Sequence, residues 1–200
     1  MKTENTNTPS KKYTKAQYVT YCALFCALGA LLPQAFHAFG ALSGTVFLPM
    51  HIPAMMAGFL LGPVAGVVTG IISPILSCLI TGGGMPIPIK VPFMMLEIGT
   101  YGLFCGFIYR AFTRTPLPEI AKTVFTVFTV LTAQFAGRCV NILCTVFAVN
   151  VLGVTHKAVS LAAAVGSIGT GLPGIVIQLL FLPALMVTLK RIHLHREHRN

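Results

Sequence analysis

Three ionisable side chains, His51, Glu97 and Arg138, interrupt stretches of sequence that are otherwise almost entirely apolar. An ionisable group inside a membrane helix costs about 2.5–3.5 kcal/mol on insertion scales, so such residues usually serve a function. An imidazole, a carboxylate and a guanidinium can bind a polar ligand, pair with one another or carry a proton. The sequence leaves open whether Glu97 and Arg138 pair with each other or with a ligand.

Arg138 belongs to a polar stripe. Gln134, Arg138, Asn141 and Thr145 follow one another at spacings of four, three and four residues, which places them on one face of a helix. In a helix surrounded by lipid, such a face must lie against protein or a water-filled pocket. We therefore predict that this face lines a binding site, whereas Gln178 is predicted to form a hydrogen bond between helices.

Methionines are concentrated in the same parts of the sequence. Six of them are Met50, Met55, Met56, Met85, Met94 and Met95. Thioethers pack adaptably against flat apolar rings, so Met85 is a candidate ligand contact. Copper or cobalt is an alternative ligand because His37 and His51 are near. Neither His-x-His nor Met-x-x-Met spacing occurs, and we predict no metal site, no cofactor and no catalytic residue.

The rest of the sequence consists of stretches long enough to cross a membrane. It is 55% hydrophobic and 9% charged, whereas soluble domains are about a quarter charged. About 20 apolar residues cross a bilayer as a helix. We predict an all-α membrane protein, a compact bundle of six transmembrane helices within residues 16–190. The predicted spans are about 16–36, 49–61, 64–81, 91–111, 120–149 and 159–189.

The basic residues predict the orientation of these spans. Lys and Arg are concentrated before residue 16, between 110 and 122, and after 189, and each group flanks an apolar stretch. This is the pattern of the positive-inside rule, so we assign the net charge of +10 to topology rather than to nucleic-acid binding. Both termini are predicted to be cytoplasmic, with polar or basic tails at 1–15 and 191–200.

This topology places the three ionisable residues at one depth. His51 opens the second span, and Glu97 lies about 9 Å below the outer end of the fourth at the helical rise. Arg138 falls in the outer half of the fifth span. We therefore predict a site that opens to the outside of the cell.

Two series of small residues predict close helix contacts. Gly62, Gly66 and Gly70 are spaced four residues apart, as are Ala23 and Ala27. Small residues one turn apart allow helix backbones to approach within a membrane. We assign the glycines to packing inside the bundle, whereas the alanines suit either internal packing or a partner protein.

Several of these residues together carry a resemblance to a known family. The stretch 47–63, FLPMHIPAMMAGFLLGP, precedes Gly66 and Gly70, then Ser73-Pro74, Thr81-Gly82, Met85-Pro86, and Glu97 with Tyr101-Gly102. Over about residues 15–190, this sequence resembles the substrate-binding S component of energy-coupling factor (ECF) transporters.

The resemblance implies a six-helix bundle that captures a vitamin or related micronutrient outside the cell. The loaded bundle would topple in the membrane while docked on a scaffold subunit that works with two ATPases. The family's docking surface matches Ala23 and Ala27, and its pocket matches Glu97, Arg138 and Asn141. Since the chain has no Trp, Tyr101, Phe135 and methionines would have to contact a ligand ring.

We therefore interpret the chain as a multi-pass protein of the bacterial plasma membrane that captures a micronutrient for an ATP-driven importer. No phosphate-binding Gly-x-x-x-x-Gly-Lys motif occurs, so partners would hydrolyse the ATP. The candidate substrate-binding residues are His51, Met85, Glu97, Tyr101, Gln134, Arg138 and Asn141. A small heteroaromatic or zwitterionic vitamin precursor is the first expectation, with a basic nitrogen on Glu97 and a carboxylate or phosphate on Arg138. A cobalamin-related or pantothenate-like ligand is the next expectation.

Three other functions remain open at this point. A self-sufficient secondary transporter could use Glu97 as its proton carrier, although no internal repeat is visible. A metal-ion uptake component is the second. An intramembrane enzyme is the third, but no nucleophile is paired with a base in the sequence.

Overall fold

The computed structural model describes residues 13–37, 46–113 and 118–197. This part of the chain is helical apart from loops and one isolated bridge between His156 and Val159. The helices are α1 (Lys15–His37), α2 (His51–Leu61), α3 (Pro63–Ile80), α4 (Val91–Thr113), α5 (Glu119–Asn150), α6 (Leu161–Thr170) and α7 (Leu172–Glu197). A 3-10 turn, Pro88–Lys90, leads into α4.

Five of these helices, α1, α3, α4, α5 and α7, are long and apolar enough to cross a membrane. The predicted all-α membrane fold is therefore confirmed in its class. The predicted second span is α2, whose 11 residues extend only about 16 Å at the helical rise, against a bilayer core of about 30 Å. Residues 1–12 and 198–200 of the predicted tails lie outside the described residues.

The prediction of one continuous sixth span is wrong, because residues 161–197 form two helices that meet at Gly171. The amide of Gly171 still donates to the carbonyl of Ser167. Pro173 follows two residues later, and because a proline lacks an amide hydrogen it cannot donate to the carbonyl of Gly169, four residues earlier. Proline is accepted in the first turn of a helix, so α7 starts there.

Helix α4 occupies the centre of the bundle and packs against α2, α3 and α5. Gly66 and Gly70 of α3 make close contacts with the backbone of α4. A Cβ atom on Gly70 would lie 2.5 Å from the amide nitrogen of Gly99, and one on Gly66 would lie 2.5 Å from the carbonyl oxygen of Gly102. Only glycine allows this approach, so these glycines pack within the bundle, as predicted.

Helix α1 packs against α2 and α3 with one face only. On that face, Cys26 is buried, and its carbonyl accepts a hydrogen bond of 3.4 Å from the Ser73 hydroxyl of α3. Beside that face, Ala23 and Ala27 are exposed, next to Leu24. The two alanines therefore lie outside the bundle rather than in its internal contacts.

Candidate ligand-binding site

A cavity of about 600 Å³ lies at one end of the bundle. Its lining comes from the ends of α1, α3 and α5, the starts of α2 and α4, the loop at 84–90, and α6 with the residues before it. Alternating helix directions bring all of these segments to the same end. A volume of this size is typical of sites for small organic molecules.

Glu97 is the centre of the polar cluster in this cavity. The residue is 5% exposed, and its side chain extends from the first two turns of α4. Its Oε1 accepts a hydrogen bond of 2.6 Å from the hydroxyl of Tyr101, one turn later, and lies 3.1 Å from Nη1 of Arg138. Its Oε2 accepts a hydrogen bond of 2.7 Å from Nδ2 of Asn141. Glu97 therefore joins α4 to the polar stripe of α5.

Arg138 extends this cluster to α6. Besides contacting Glu97, its Nη1 donates to the hydroxyl of Ser167 over 3.1 Å, and that hydroxyl donates to the carbonyl of Ala164. The Nε and Nη2 atoms of Arg138 are buried and have no hydrogen-bond partner among the described residues. Nη1 thus makes the polar contacts of Arg138 with the described residues, and the buried Nε–Nη2 edge makes none of them.

His51 also lies in the cavity wall, at the first position of α2. Its ring meets the Tyr101 ring edge to face, with centroids 4.9 Å apart. Its Nδ1 atom is buried without a partner among the described residues. The imidazole thus packs against the residue that holds Glu97 and can still make a polar contact.

The loop that carries Met85 is fixed by hydroxyl groups at the end of α3. Thr81 Oγ1 accepts from the Met85 amide over 3.0 Å, and the hydroxyls of Ser77 and Thr81 both donate to the Met85 carbonyl. Ser77 in turn accepts a bond from Gln34 of α1. These bonds hold Met85 and the following cis proline, Pro86, over the cavity.

The structure brings together His51, Met85, Glu97, Arg138 and Asn141 in one cavity wall. Two other predicted site residues, Tyr101 and Gln134, lie behind the wall and do not line it. Tyr101 is fully buried under Glu97. Gln134 is buried one turn before Arg138 on α5, where its amide donates to the side-chain carbonyl of Gln178.

Gln178 also donates to the carbonyl of Leu48, over 3.3 Å, so its predicted role as a link between helices is confirmed. Phe135, expected to contact a ligand ring, does not line the cavity and is 74% exposed on the outside of the helix bundle. Of the six methionines, Met50, Met85 and Met94 line the cavity.

Some lining residues were not predicted. Phe93 supplies the aromatic surface, Lys90 a second positive charge and Ser167 the hydroxyl on Arg138. Phe93 precedes Glu97 by four residues, so helical periodicity could have placed it on the same face. Ser167 lies among small residues whose spacing carries no comparable signal.

No group of three or more His, Cys, Asp or Glu side chains is placed to hold a metal ion in the part of the chain that the structure describes. The chemistry that the cavity offers is ionic and hydrogen-bonding contact beside apolar and thioether surfaces. The cavity has room for a small organic molecule, and it lies in a bundle whose helices are long and apolar enough to cross a membrane.

Comparison with known proteins identifies the kind of membrane protein. The family model of the substrate-specific component of ECF transporters matches residues 17–189. The chain therefore belongs to this family, and the resemblance found in the sequence is confirmed. No curated protein and no solved structure gave a significant match.

Membership defines the general role of the protein. It is a transport protein of the membrane that takes up a substrate for an ECF transporter, and its family is not one of enzymes. Members associate with the scaffold and ATPase components of the transporter.

Proposed function

We propose that this protein captures a vitamin or related micronutrient at the outer surface of a bacterial plasma membrane. It would release the molecule to the cytoplasm as part of an importer with one scaffold subunit and two ATPases. The observation that carries this proposal is the cavity of about 600 Å³, in which polar side chains from α2, α4, α5 and α6 converge.

The placement of charge supports an outward-facing cavity. The cavity is formed where α1 ends and α4 begins, so the start of α1 and the end of α4, with Lys15 and Arg110, lie at the opposite end of the bundle. The C-terminal half of α7 with its basic residues runs to that same opposite end. The positive-inside rule assigns the basic end to the cytoplasm. The cavity then opens outward, and six spans with both termini inside follow if α2 completes a crossing with the segment before it.

The positions of the predicted site residues suggest that some contact the ligand and others hold those residues in place. His51, Met85, Arg138 and Asn141 would contact the ligand, since each lines the cavity. Glu97 lines it as well, but three protein donors already hold its carboxylate. Tyr101 and Gln134 would support these residues from behind. The site would thus be preformed by contacts between α4 and α5.

The exposed face of α1 supports a docking role. Ala23 and Ala27 present a shallow surface between larger apolar side chains, and a shallow surface allows another helix to approach closely in a membrane. We assign this face to the scaffold subunit, as the family resemblance implies. The face lies on a helix that contributes only Pro33 to the cavity.

Retention of a small molecule by the purified protein tests the proposal. The protein would be extracted gently from cells grown in rich medium, denatured, and its extract compared by mass spectrometry with that of a mock preparation. Ala163→Phe should weaken retention because the larger side chain takes up space in the cavity, whereas Ala162→Phe should not, because residue 162 is exposed on the same helix. Equal retention by both variants, or none by the unaltered protein at any micronutrient supply, would contradict capture in this cavity.

A further inference from the structure

The carboxylate of Glu97 is already engaged by the protein. Tyr101, Arg138 and Asn141 each provide one donor to it, and a carboxylate offers about four acceptor positions. Its charge is compensated by the guanidinium at 3.1 Å. A positively charged ligand group would have to displace these donors. Glu97 is therefore better placed to hold Arg138 than to bind a ligand directly.

Arg138, in contrast, has binding capacity left. All its hydrogen bonds and its ion pair use Nη1, and the buried Nε and Nη2 atoms have no partner among the described residues. Buried polar groups are nearly always hydrogen-bonded, so an unpartnered pair calls for an explanation. Nε and Nη2 form the side edge of the guanidinium, which binds the two oxygens of one carboxylate through parallel hydrogen bonds.

The charges around the cavity favour one negative group. Among the described lining residues, Lys90 and Arg138 are positive and Glu97 is negative, which leaves an excess of one positive charge while His51 is neutral. The start of α6, at Ser160 and Ala163, adds partial positive charge to the same wall. A phosphate monoester, with about −1.5 to −2 charges at neutral pH, would exceed this excess. One carboxylate matches it.

The remaining wall predicts the body of the ligand. Met50, Phe93 and Met94 form a largely apolar surface, and Ile87 and Val159 extend it. Thioethers and an aromatic ring suit a flat or aliphatic skeleton. The polar part of the cavity is concentrated around Arg138.

We propose that the ligand of this cavity is a monocarboxylate with an apolar body, and that its carboxylate binds the Nε–Nη2 edge of Arg138. Glu97 is then a positioning residue, which orients Arg138 through Nη1. This inference rests on the proposed capture of a small molecule in this cavity and names the chemical class of that molecule.

Matched pairs of compounds test the class. The probes are nicotinate and nicotinamide, pantothenate and panthenol, and biotin and biotinamide, in which a neutral group replaces the carboxylate. Each would be added to the purified protein, and binding would be followed by calorimetry and by thermal stability. At least one carboxylate should bind about 10- to 100-fold more tightly than its neutral counterpart, the factor expected for charge-assisted hydrogen bonds.

Variants of Arg138 assign this preference to the guanidinium. Arg138→Gln should reduce carboxylate affinity by about the same 10- to 100-fold factor. Arg138→Lys should restore only part of it, since Lys keeps the charge but lacks the side edge. Lys157→Gln is the control, because it removes one positive charge from an exposed position outside the cavity lining and should leave the preference intact.

The molecule retained by the purified protein supplies the second readout. It should contain one carboxylate, and Arg138→Gln should release it. A retained molecule without a carboxylate, or neutral probes that bind as well as the acids, would overturn this inference and leave capture itself standing. A protein that retains nothing and binds no probe of any pair would fail the proposed function, and this inference with it.

Discussion

The sequence left open whether Glu97 and Arg138 pair with each other or with a ligand. In the structure the two side chains pair, and Arg138 keeps two nitrogens without a hydrogen bond to the described residues. They form an ion pair, but only one nitrogen of Arg138 takes part in it. A buried ion pair adds little stability by itself, because desolvation offsets the attraction. Its value at this site would be to fix the guanidinium in one orientation within a cavity.

Removing either partner of this pair should destabilise the empty protein. Glu97 and Arg138 are 7% and 11% exposed at their side chains, and breaking a buried pair typically costs about 3–5 kcal/mol because the remaining charge is left without its partner. Glu97→Gln and Arg138→Gln should each lower thermal stability in detergent. The double variant should lose less stability than the two single variants together, and the difference in the free energy of unfolding should be about 0.5–3 kcal/mol.

The control for this cycle is Gln134→Leu combined with each single variant, since Gln134 bonds to Gln178 rather than to the pair. Strictly additive losses for Glu97 and Arg138 would show that the ion pair contributes nothing to the empty bundle. They would also remove the proposed role of Glu97 as the residue that positions Arg138.

Several residues of the cavity wall could be predicted from the sequence. Helical spacing placed Arg138 and Asn141 on one face, and depth along the spans matched them with Glu97. The failures were side chains whose direction depends on packing. Gln134 shares the stripe but is turned towards Gln178, and Ser167 lies on a helix that was not predicted as a separate element.

The sequence predicted the close packing of helix α3 but not the break between helices α6 and α7. The glycine spacing of α3 predicted a close contact inside the bundle, because backbone approach depends directly on the absence of a Cβ atom, and the structure shows that the partner is α4. The break between α6 and α7 was missed, although Gly171 and Pro173 lie in the sequence at that point. Residues 159–189 form an apolar stretch long enough to cross a membrane, so they were predicted as one span despite the glycine and the proline within it.

The exposed face of α1 predicts that binding and transport can be separated. Ala27→Leu should leave ligand retention and thermal stability nearly unchanged, because the side chain is exposed and far from the cavity wall. Uptake by cells that contain the scaffold and ATPases should fall severalfold, because the larger side chain keeps the scaffold helix at a distance.

Ala184→Leu is the matched control for that variant. Ala184 is also an exposed alanine, but on α7, and its replacement should reduce neither retention nor uptake. A loss of ligand retention in Ala27→Leu would instead place this alanine in an internal contact. Uptake that is unaffected in Ala27→Leu would assign the docking surface to another face.

For the whole molecule, the alternation of helices and the distribution of basic residues together predict the topology. A cysteine at Thr155, in the exposed loop between α5 and α6, should react with a membrane-impermeant maleimide added to intact cells. A cysteine at Thr115, in the basic stretch of sequence between α4 and α5, should react only after the cells are opened. Labelling would be compared with that of the unaltered chain, which already carries six cysteines.

The reverse pattern, with residue 115 reactive from outside, would place the cavity on the cytoplasmic side. Capture of an external micronutrient would then require a different route to the site. Composition alone predicted the class of fold, and the distribution of charge predicts an orientation that this labelling tests. The sequence could not give the shape of the cavity, because that depends on how the loops at 84–90 and 151–160 pack over the helix ends.

Uptake measured with and without the scaffold and ATPase subunits tests directly whether this protein works only as part of an ATP-driven importer. The molecule retained by the purified protein, in radiolabelled form, would be supplied to cells or proteoliposomes that contain this chain alone, or with the scaffold and both ATPases. We expect the labelled molecule to accumulate only with the scaffold, both ATPases and ATP. We expect no accumulation when the ATPases carry a substitution that prevents hydrolysis. Accumulation by this chain alone, driven by a proton gradient, would contradict the account and favour a self-sufficient secondary transporter.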